Sequence, residues 1–509
     1  MLILIKRLIL LFILTSVLVE FSFAQGIYFN NIYNPWNTWS AALSIIERTN
    51  DYVVCGIAGD PATGLKKIAI INLDLDANIN ETWLYGPDNY HTYPGWPGSF
   101  IQLSDSGFAL FGSLESGYED LGYFVRFDSR LDTLITDTYA DTINNDLVGV
   151  QCKELNNGGF ILLGSTYFGE ENVQIILIRT DNKGNEIWRR NYGGEKTEKP
   201  KNIVVLEDGY LIGGIYYNPG NHSTADPIVI KTDTMGNLKW IKSYGDTLDD
   251  YGAVVCTLSD GNYLIATAIG TYQPYPIPFV IYTQLHFIKT DTSGNVLWDK
   301  KYGVSMDVNY PNMVRQLENG DIISCGSSWM DTIIGGNIGW AFKLSSDGDS
   351  IWYREYKHFS FNVLTVETLN DIIPTMDEGY IATGVSYYSE QGIPQSFWVV
   401  KMDSLGCDSL ECNPYVGIKK QKDSQKTGFN IFPNPAKEFF TIDFPKDISP
   451  RKQIKMEIYN TFGKLVMLKQ FNSSQNQKVI KTKGLKPGVY FIRFSIEGKT
   501  IETLKIAIL

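Results

Sequence analysis

Paired carboxylates are the residues of this sequence with the most chemistry to offer. Glu119-Asp120, Glu170-Glu171 and Asp249-Asp250, with Asp307 and Asp331 apart, supply oxygens that hold Ca²⁺ or, as a close acid and base, cleave a glycosidic bond. No EF-hand spacing organises them, so solvated loop charge is the competing reading. The four histidines, His91, His222, His286 and His358, are scattered without HExxH or triad-like spacing. No Walker loop, dinucleotide fingerprint or nucleophile elbow occurs. Zinc and serine-hydrolase mechanisms have no support, and no metal, cofactor or catalytic residue is assigned.

Aromatic residues offer a second chemistry. Tyr90, Tyr93, Trp96, Tyr167, Tyr216, Tyr217, Tyr275, Trp329 and Tyr387 fall at or beyond the ends of apolar runs, near Asp, Asn and Glu. A flat ring beside polar groups suits a sugar, with its apolar C–H faces and hydroxyl edges, and also suits a peptide. The same rings equally suit stapling one loop to its neighbour. Of the six cysteines, Cys407 and Cys412 bracket a short polar stretch and are expected to form a local disulfide. Cys55, Cys152, Cys256 and Cys325 lie in apolar runs and read as small core residues.

A repeat must position these groups. An aromatic residue followed four positions later by glycine recurs as Tyr52/Gly56, Phe108/Gly112, Phe160/Gly164, Tyr210/Gly214 and Tyr380/Gly384, with Ile322/Gly326 and Tyr263/Thr267 as variants. Most of these pairs follow a hairpin signal such as Asn157-Gly158-Gly159. Downstream, a strand ends in Asp74, Asp128, Asp181, Asp233, Asp291 or Asp403, with Ser345 in the remaining copy. These acids recur too regularly for catalysis and read as turn formers through Asx-type bonds. Seven residues after the Asp or Ser stands Trp188, Trp240, Trp298 or Trp352, and four further on stands Tyr192, Tyr244, Tyr302 or Tyr356. Each copy therefore reads as four short antiparallel strands, one propeller blade, with the tryptophan packed in its core.

The last copy lacks its Trp-and-Tyr strand, whereas Phe29 and Tyr33 near the N-terminus carry the same spacing. The expected fold is all-β: a seven-bladed β-propeller over 25–412, closed by the N-terminal strand, then a small C-terminal Ig-like β-sandwich. The repeat resembles secreted propellers common in exported proteins of the Bacteroidetes type. It is also faintly similar to the tryptophan-docked blades of quinone enzymes and the Asp-box of sialidases, without the adjacent cysteine pair of the former. Short hairpins occupy one face of such a ring, so variable loops, and any site, gather on the other.

After a polar stretch over 413–428, expected to be a linker, the chain changes character. Residues 429–509 carry 14 Lys and Arg against 6 Asp and Glu, within a chain of net charge −12. Phe432-Pro433-Asn434-Pro435, Phe462-Gly463-Lys464, Pro487-Gly488-Val489-Tyr490 and the closing segment with Lys505 resemble the type A sorting domain of the type IX secretion system. That resemblance implies recognition by the secretion machinery and export across the outer membrane.

At the other end, Lys6 and Arg7 precede an apolar run closing on Ala24, the form of a signal peptide over 1–24. No later segment has the length of a membrane span, and the acidic body argues against a nucleic-acid partner. The expectation is a secreted or surface-attached monomer that binds a glycan or protein without catalysis. A polysaccharide-active lyase or hydrolase is the alternative from another class, and a structural or adhesion component is the third.

Overall fold

The computed structural model describes residues 28–508 except 116, 118, 142–145, 168–172, 195–196, 218–224, 247, 272–281, 304–306, 331–335, 360–364, 389–392, 410–411, 413–428, 433–435, 445–452, 461–463, 473–476, 487 and 497–498. The expected signal peptide and linker, Tyr275, Pro433, Asn434, Pro435, Gly463 and Pro487 lie outside the described residues, as do Glu170, Glu171 and Asp331. The chain divides into two compact units, Met1–Gly417 and Ile418–Leu509.

The first unit is a cyclic array of antiparallel sheets. Sheet I comprises Ser40–Arg48, Asp51–Gly59, Lys66–Asp74 and Ile79–Tyr85; sheet II has His91–Tyr93 and Ile101–Gln102 side by side on Phe108–Glu115, then Asp120–Phe127 and Thr133–Tyr139. Sheet III runs Leu147–Glu154, Phe160–Tyr167, Val173–Thr180, Glu186–Tyr192, and sheet IV runs Thr197–Leu206, Gly209–Tyr217, Ala225–Thr232, Leu238–Ser243. Sheet V runs Val254–Thr257, Tyr263–Thr271, Tyr282–Thr290, Val296–Tyr302. Sheet VI has eight strands: Asp307–Gln316, Ile322–Met330, Gly336–Leu344 and Ser350–Tyr356 form one half, and Thr365–Pro374, Tyr380–Tyr388, Ile393–Met402 and Phe29–Tyr33 the other. The halves meet at a single parallel bridge, Asn337 to Val366. Phe29–Tyr33 pairs with Ile393–Met402 in the register Phe29 opposite Lys401, as the shared Phe/Tyr spacing predicts.

The repeated residues have physical reasons visible in the packing. A Cβ on Gly56, Gly112, Gly164, Gly214, Gly326 or Gly384 would strike the carbonyl of Ala41, Tyr93, Val148, Lys199, Tyr310 or Thr368 on the neighbouring first strand. Where Thr267 takes the glycine's place, its hydroxyl donates to the equivalent carbonyl, Tyr251 O, at 2.5 Å. Each outer-strand tyrosine donates to a turn of the next repeat: Tyr85 to Leu131 O at 2.8 Å, Tyr192 to Gly236 O at 2.6 Å, Tyr244 to Gly294 O at 2.9 Å and Tyr356 to Gly406 O at 2.7 Å. Those accepting residues have positive φ, which glycine adopts without strain and Leu131 adopts at 73°. The recurrent aspartates build the same turns: Asp181 Oδ1 accepts the N–H groups of Lys183 and Asn185, and Asp233 repeats the pattern with Met235 and Asn237. In the copy where Ser345 stands, Asp349 N donates to its hydroxyl at 3.1 Å.

Tryptophan packing departs from the sequence expectation. Trp352 is buried, but Trp188, Trp240 and Trp298 are only half-buried, because they sit on outer strands and cover the turn glycines Gly236, Gly294 and Gly348 of the next repeat rather than a blade interior. Cys407 and Cys412 form a disulfide. Cys55, Cys152 and Cys325 are buried free thiols and Cys256 is half-buried; burial pushes Cys152 and Cys256 up to about 12. Among the described residues no helix is long and apolar enough to cross a membrane.

The second unit is a pair of small antiparallel sheets. Asn430–Phe432, Phe439–Asp443 and Gln477–Lys481 form one; Leu465–Asn472, Gln453–Asn460, Gly488–Ile496 and Lys499–Ile508 form the other. Their inward alternation buries Phe440, Ile442, Ile454, Met456, Ile492 and Phe494. Gly488 opens its strand at φ +153°, Tyr490 OH donates to Lys486 O at 2.8 Å, and Lys505 stands opposite Phe491.

Candidate functional site

The first strands carry a common irregularity that shapes the axis of the ring. Register shifts by one residue between Ala42 and Ser44, Gly149 and Gln151, Pro200 and Asn202, Pro311 and Met313, and Leu369 and Asp371. These are β-bulges, which bend a strand and free one side chain from the ladder. Sheet II replaces the bulge with the whole segment Pro94-Gly95-Trp96-Pro97-Gly98-Ser99-Phe100, between His91–Tyr93 and Ile101–Gln102.

That segment lies among the first strands. Gly98 N donates to Leu43 O at 3.2 Å, Trp96 N donates to Val150 O at 3.0 Å, and the Gln151 amide donates to Pro97 O at 2.5 Å. Gly98 also sits against the Met313 methyl. Sheets I, III and VI thus all touch it, and sheet IV follows through Lys201, whose ammonium is 4.8 Å from the centre of the Trp96 ring. The two Pro-Gly pairs suit a chain that must turn sharply without spending N–H groups on a ladder. Trp96 remains 46% exposed, so one face of the ring is open to a ligand.

The same face carries two more lysine–aromatic pairings. Lys66, exposed at the start of its strand, places its ammonium 5.5 Å from the Trp39 ring and 5.4 Å from Tyr93. Lys199 is 5.7 Å from the ring of Tyr217. Tyr93 and Trp96 are three residues apart on one segment, so Trp39, Lys66, Tyr93, Trp96, Lys201, Lys199 and Tyr217 form a strip of rings and lysines from sheet I to sheet IV. Burial, reinforced by Lys199, lowers the pKa of Lys201.

Carboxylates adjoin the sheet II end of this strip. Glu115 and Asp120 stand directly opposite each other across two strands, and Tyr93 OH donates to Glu115 Oε2 at 2.7 Å. Asp120 is pushed up, first by burial and then by Glu115 and Asp146. Like charges opposite each other cost stability, so this pair is strain that the fold tolerates. His91 faces Glu115 from the third strand, with its Nδ1 accepting the Lys66 N–H at 2.9 Å.

Other aromatic candidates are placed elsewhere. Tyr90 packs on the core shared by sheets I and II, and Tyr216 packs on the core between sheets III and IV while bonding Asp226. Tyr167 ends its strand in sheet III. Trp329 and Tyr387 stand half-buried in sheet VI, opposite Val308 and Val366. Asp249 accepts the Ala225 N–H at 3.0 Å, and Asp250 accepts from Gly270 N at 2.7 Å and Asp246 N at 3.0 Å. Burial pushes Asp250 up to about 7, opposed by those bonds. Among the described residues no cluster of His, Cys, Asp and Glu fits a metal ion. Sequence reading missed Trp39, Lys66, Glu115 and Lys201; Trp39 and Glu115, beside the singled-out Phe29/Tyr33 strand and Glu119-Asp120, were the two with a signal nearby.

Residues 430–508 match the secretion system C-terminal sorting domain family, so the protein is a type IX secretion substrate exported to the cell surface. No curated protein matches the chain. Similar solved structures include Penicillium chrysogenum α-L-arabinanase complexed with arabinobiose, 15% identical over 60% of this chain and 92% of that one, TM-score 0.40. Drosophila Plexin A in complex with Semaphorin 1b is 10% identical over 75% and 89%, TM-score 0.39. The β-propeller domain of the Trilobed protease from Pyrococcus furiosus is 9% identical over 74% and 98%, TM-score 0.41. At these scores none bears on what this chain binds or does.

Proposed function

We propose that the body is a closed ring of seven blades, sheet VI supplying two of them and Phe29–Tyr33 the last outer strand, and that it binds carbohydrate at the cell surface without cleaving it. The single observation carrying this reading is the strip from Trp39 to Tyr217, with Trp39 44% and Trp96 46% exposed in a fold whose other large rings are mostly covered. Sugar C–H faces stack on such rings, while lysine ammonium groups and the Glu115 carboxylate meet the hydroxyl edges. Binding of the full mature chain to a glycan panel tests it. Hits that vanish in Trp39→Ala and Trp96→Ala, with unchanged circular dichroism, are expected; hits insensitive to both substitutions would move the site off the strip.

One observation favours hydrolysis as a second reading. Glu115 stands directly opposite Asp120, whose pKa is raised first by burial and then by Glu115, so two carboxylates with unlike environments face each other, as an acid and its carboxylate partner would. Product analysis separates the two: new reducing ends that disappear in Glu115→Gln and Asp120→Asn establish an enzyme, and binding without products establishes a receptor.

A further inference from the structure

We infer that the strip selects an acidic polysaccharide, one whose sugars carry uronate carboxylates. This rests on the carbohydrate reading above and adds the chemical class. Several lysines elsewhere in the body are paired with carboxylates, Lys231 with Asp208 at 2.6 Å, Lys289 with Asp260 at 2.5 Å, Lys343 with Asp321 at 3.1 Å and Lys401 with Asp377 at 2.7 Å, while Lys67 bonds the Pro87 and Tyr90 carbonyls and Lys242 bonds the Asn295 side chain. Among the described residues, Lys66, Lys199 and Lys201 have no carboxylate in ion-pair contact; each lies over an aromatic ring instead. In a chain with 56 Asp and Glu against 44 Lys and Arg, three unpaired cations on one strip are the reverse of the surrounding charge.

The first strands deepen the same field. Lys153, on the first strand of sheet III, has its pKa lowered by burial and then by the Arg315 cation of sheet VI, and Arg315 is bonded to Asp371 at 2.7 Å. A uronate can stack its C–H face on Trp96 while its carboxylate takes a charge-assisted hydrogen bond from Lys201, two contacts that a neutral sugar cannot make together. Glu115 and Asp120 repel carboxylates at the sheet II end, so the acidic sugar belongs against Lys201 and Lys199.

The test uses the full mature chain and a panel of uronate oligomers, each with its carboxyl-reduced counterpart, which keeps linkage and ring but loses charge. Roughly tenfold tighter binding of an acidic oligomer than its reduced form is expected, narrowing as NaCl rises. Lys201→Met should remove most of that preference by weakening the acidic oligomer far more than its reduced form, with Lys201→Arg retaining it; Lys66→Met is the second variant should the first misfold. Equal binding of both forms overturns the acid selection and leaves the carbohydrate reading standing. Equal binding of duplex DNA overturns it as mere polyanion attraction, and no binding by any oligomer overturns both readings.

Discussion

The hydroxyl of Tyr33 donates to the carbonyl of Ala77 at 2.9 Å, joining the most N-terminal described strand to the last turn of sheet I. Ala77 has φ 69° and occupies the place that Gly236 and Gly406 hold in later repeats. The same sheets are joined a second time at the axis, where the Asn370 amide donates to Ala42 O at 2.8 Å and Asp371 accepts from Ile45 N at 3.2 Å.

If that clasp closes the ring, Tyr33→Phe leaves a buried carbonyl without its donor and costs about 1 kcal/mol. Hydrogen exchange should show the loss concentrated in Phe29–Tyr33 and Ile393–Met402. Uniform or absent change would mean the N-terminal strand is not a closing element.

Gly326→Ala places a methyl against the Tyr310 carbonyl and the fully buried Trp340 ring. The first strand cannot retreat without breaking its bulge, so a loss of at least ~3 kcal/mol is expected in chemical denaturation. Thr267→Ser, which keeps the hydroxyl donated to Tyr251 O, should cost far less.

Trp240 covers Gly294 and donates its indole N–H to Thr292 O at 3.3 Å, yet it is only half-buried. Trp240→Ala is accordingly expected to cost about 2 kcal/mol, below the range for a fully buried tryptophan. A denaturant midpoint shifted as far as for Trp352→Ala would contradict the half-buried placement.

Asp250 holds its proton up to about pH 7 in the folded chain, against an ordinary value of 3.8. Between those values the folded state binds a proton that the unfolded state has released, so its contribution to stability falls as pH rises through that window. The midpoint of unfolding should drop between about pH 4 and pH 7, and Asp250→Asn should reduce that drop. An unchanged slope in the variant would place the titration elsewhere.

Much of the fold is legible because each repeat states its local physics several times. Gly56, Gly112 and Gly326 mark close approach to a carbonyl, Asp181 and Asp233 mark turns, and Tyr192 and Tyr356 mark the bond to the next repeat. The unequal burial of the tryptophans was not legible, since spacing gives the position on a strand and not which neighbour covers it. The strip was legible only in part: Tyr93, Trp96 and Tyr217 declare themselves as aromatics between apolar runs. Lys66, Lys199 and Lys201 look like ordinary strand lysines; Lys66 and Lys201 meet Tyr93 and Trp96 of sheet II only because separate sheets approach, and Lys199 meets Tyr217 across adjacent strands of its own sheet.

The segment from Pro94 to Phe100 touches strands from both ends of the body, Leu43 near the start and Met313 far along the chain. Trp96 can face Lys201 only once those strands have come together, so the strip belongs to the assembled body and not to a partly folded chain. If the strip holds the proposed glycan, retention on that glycan would report a body whose strands have finished assembling around this segment.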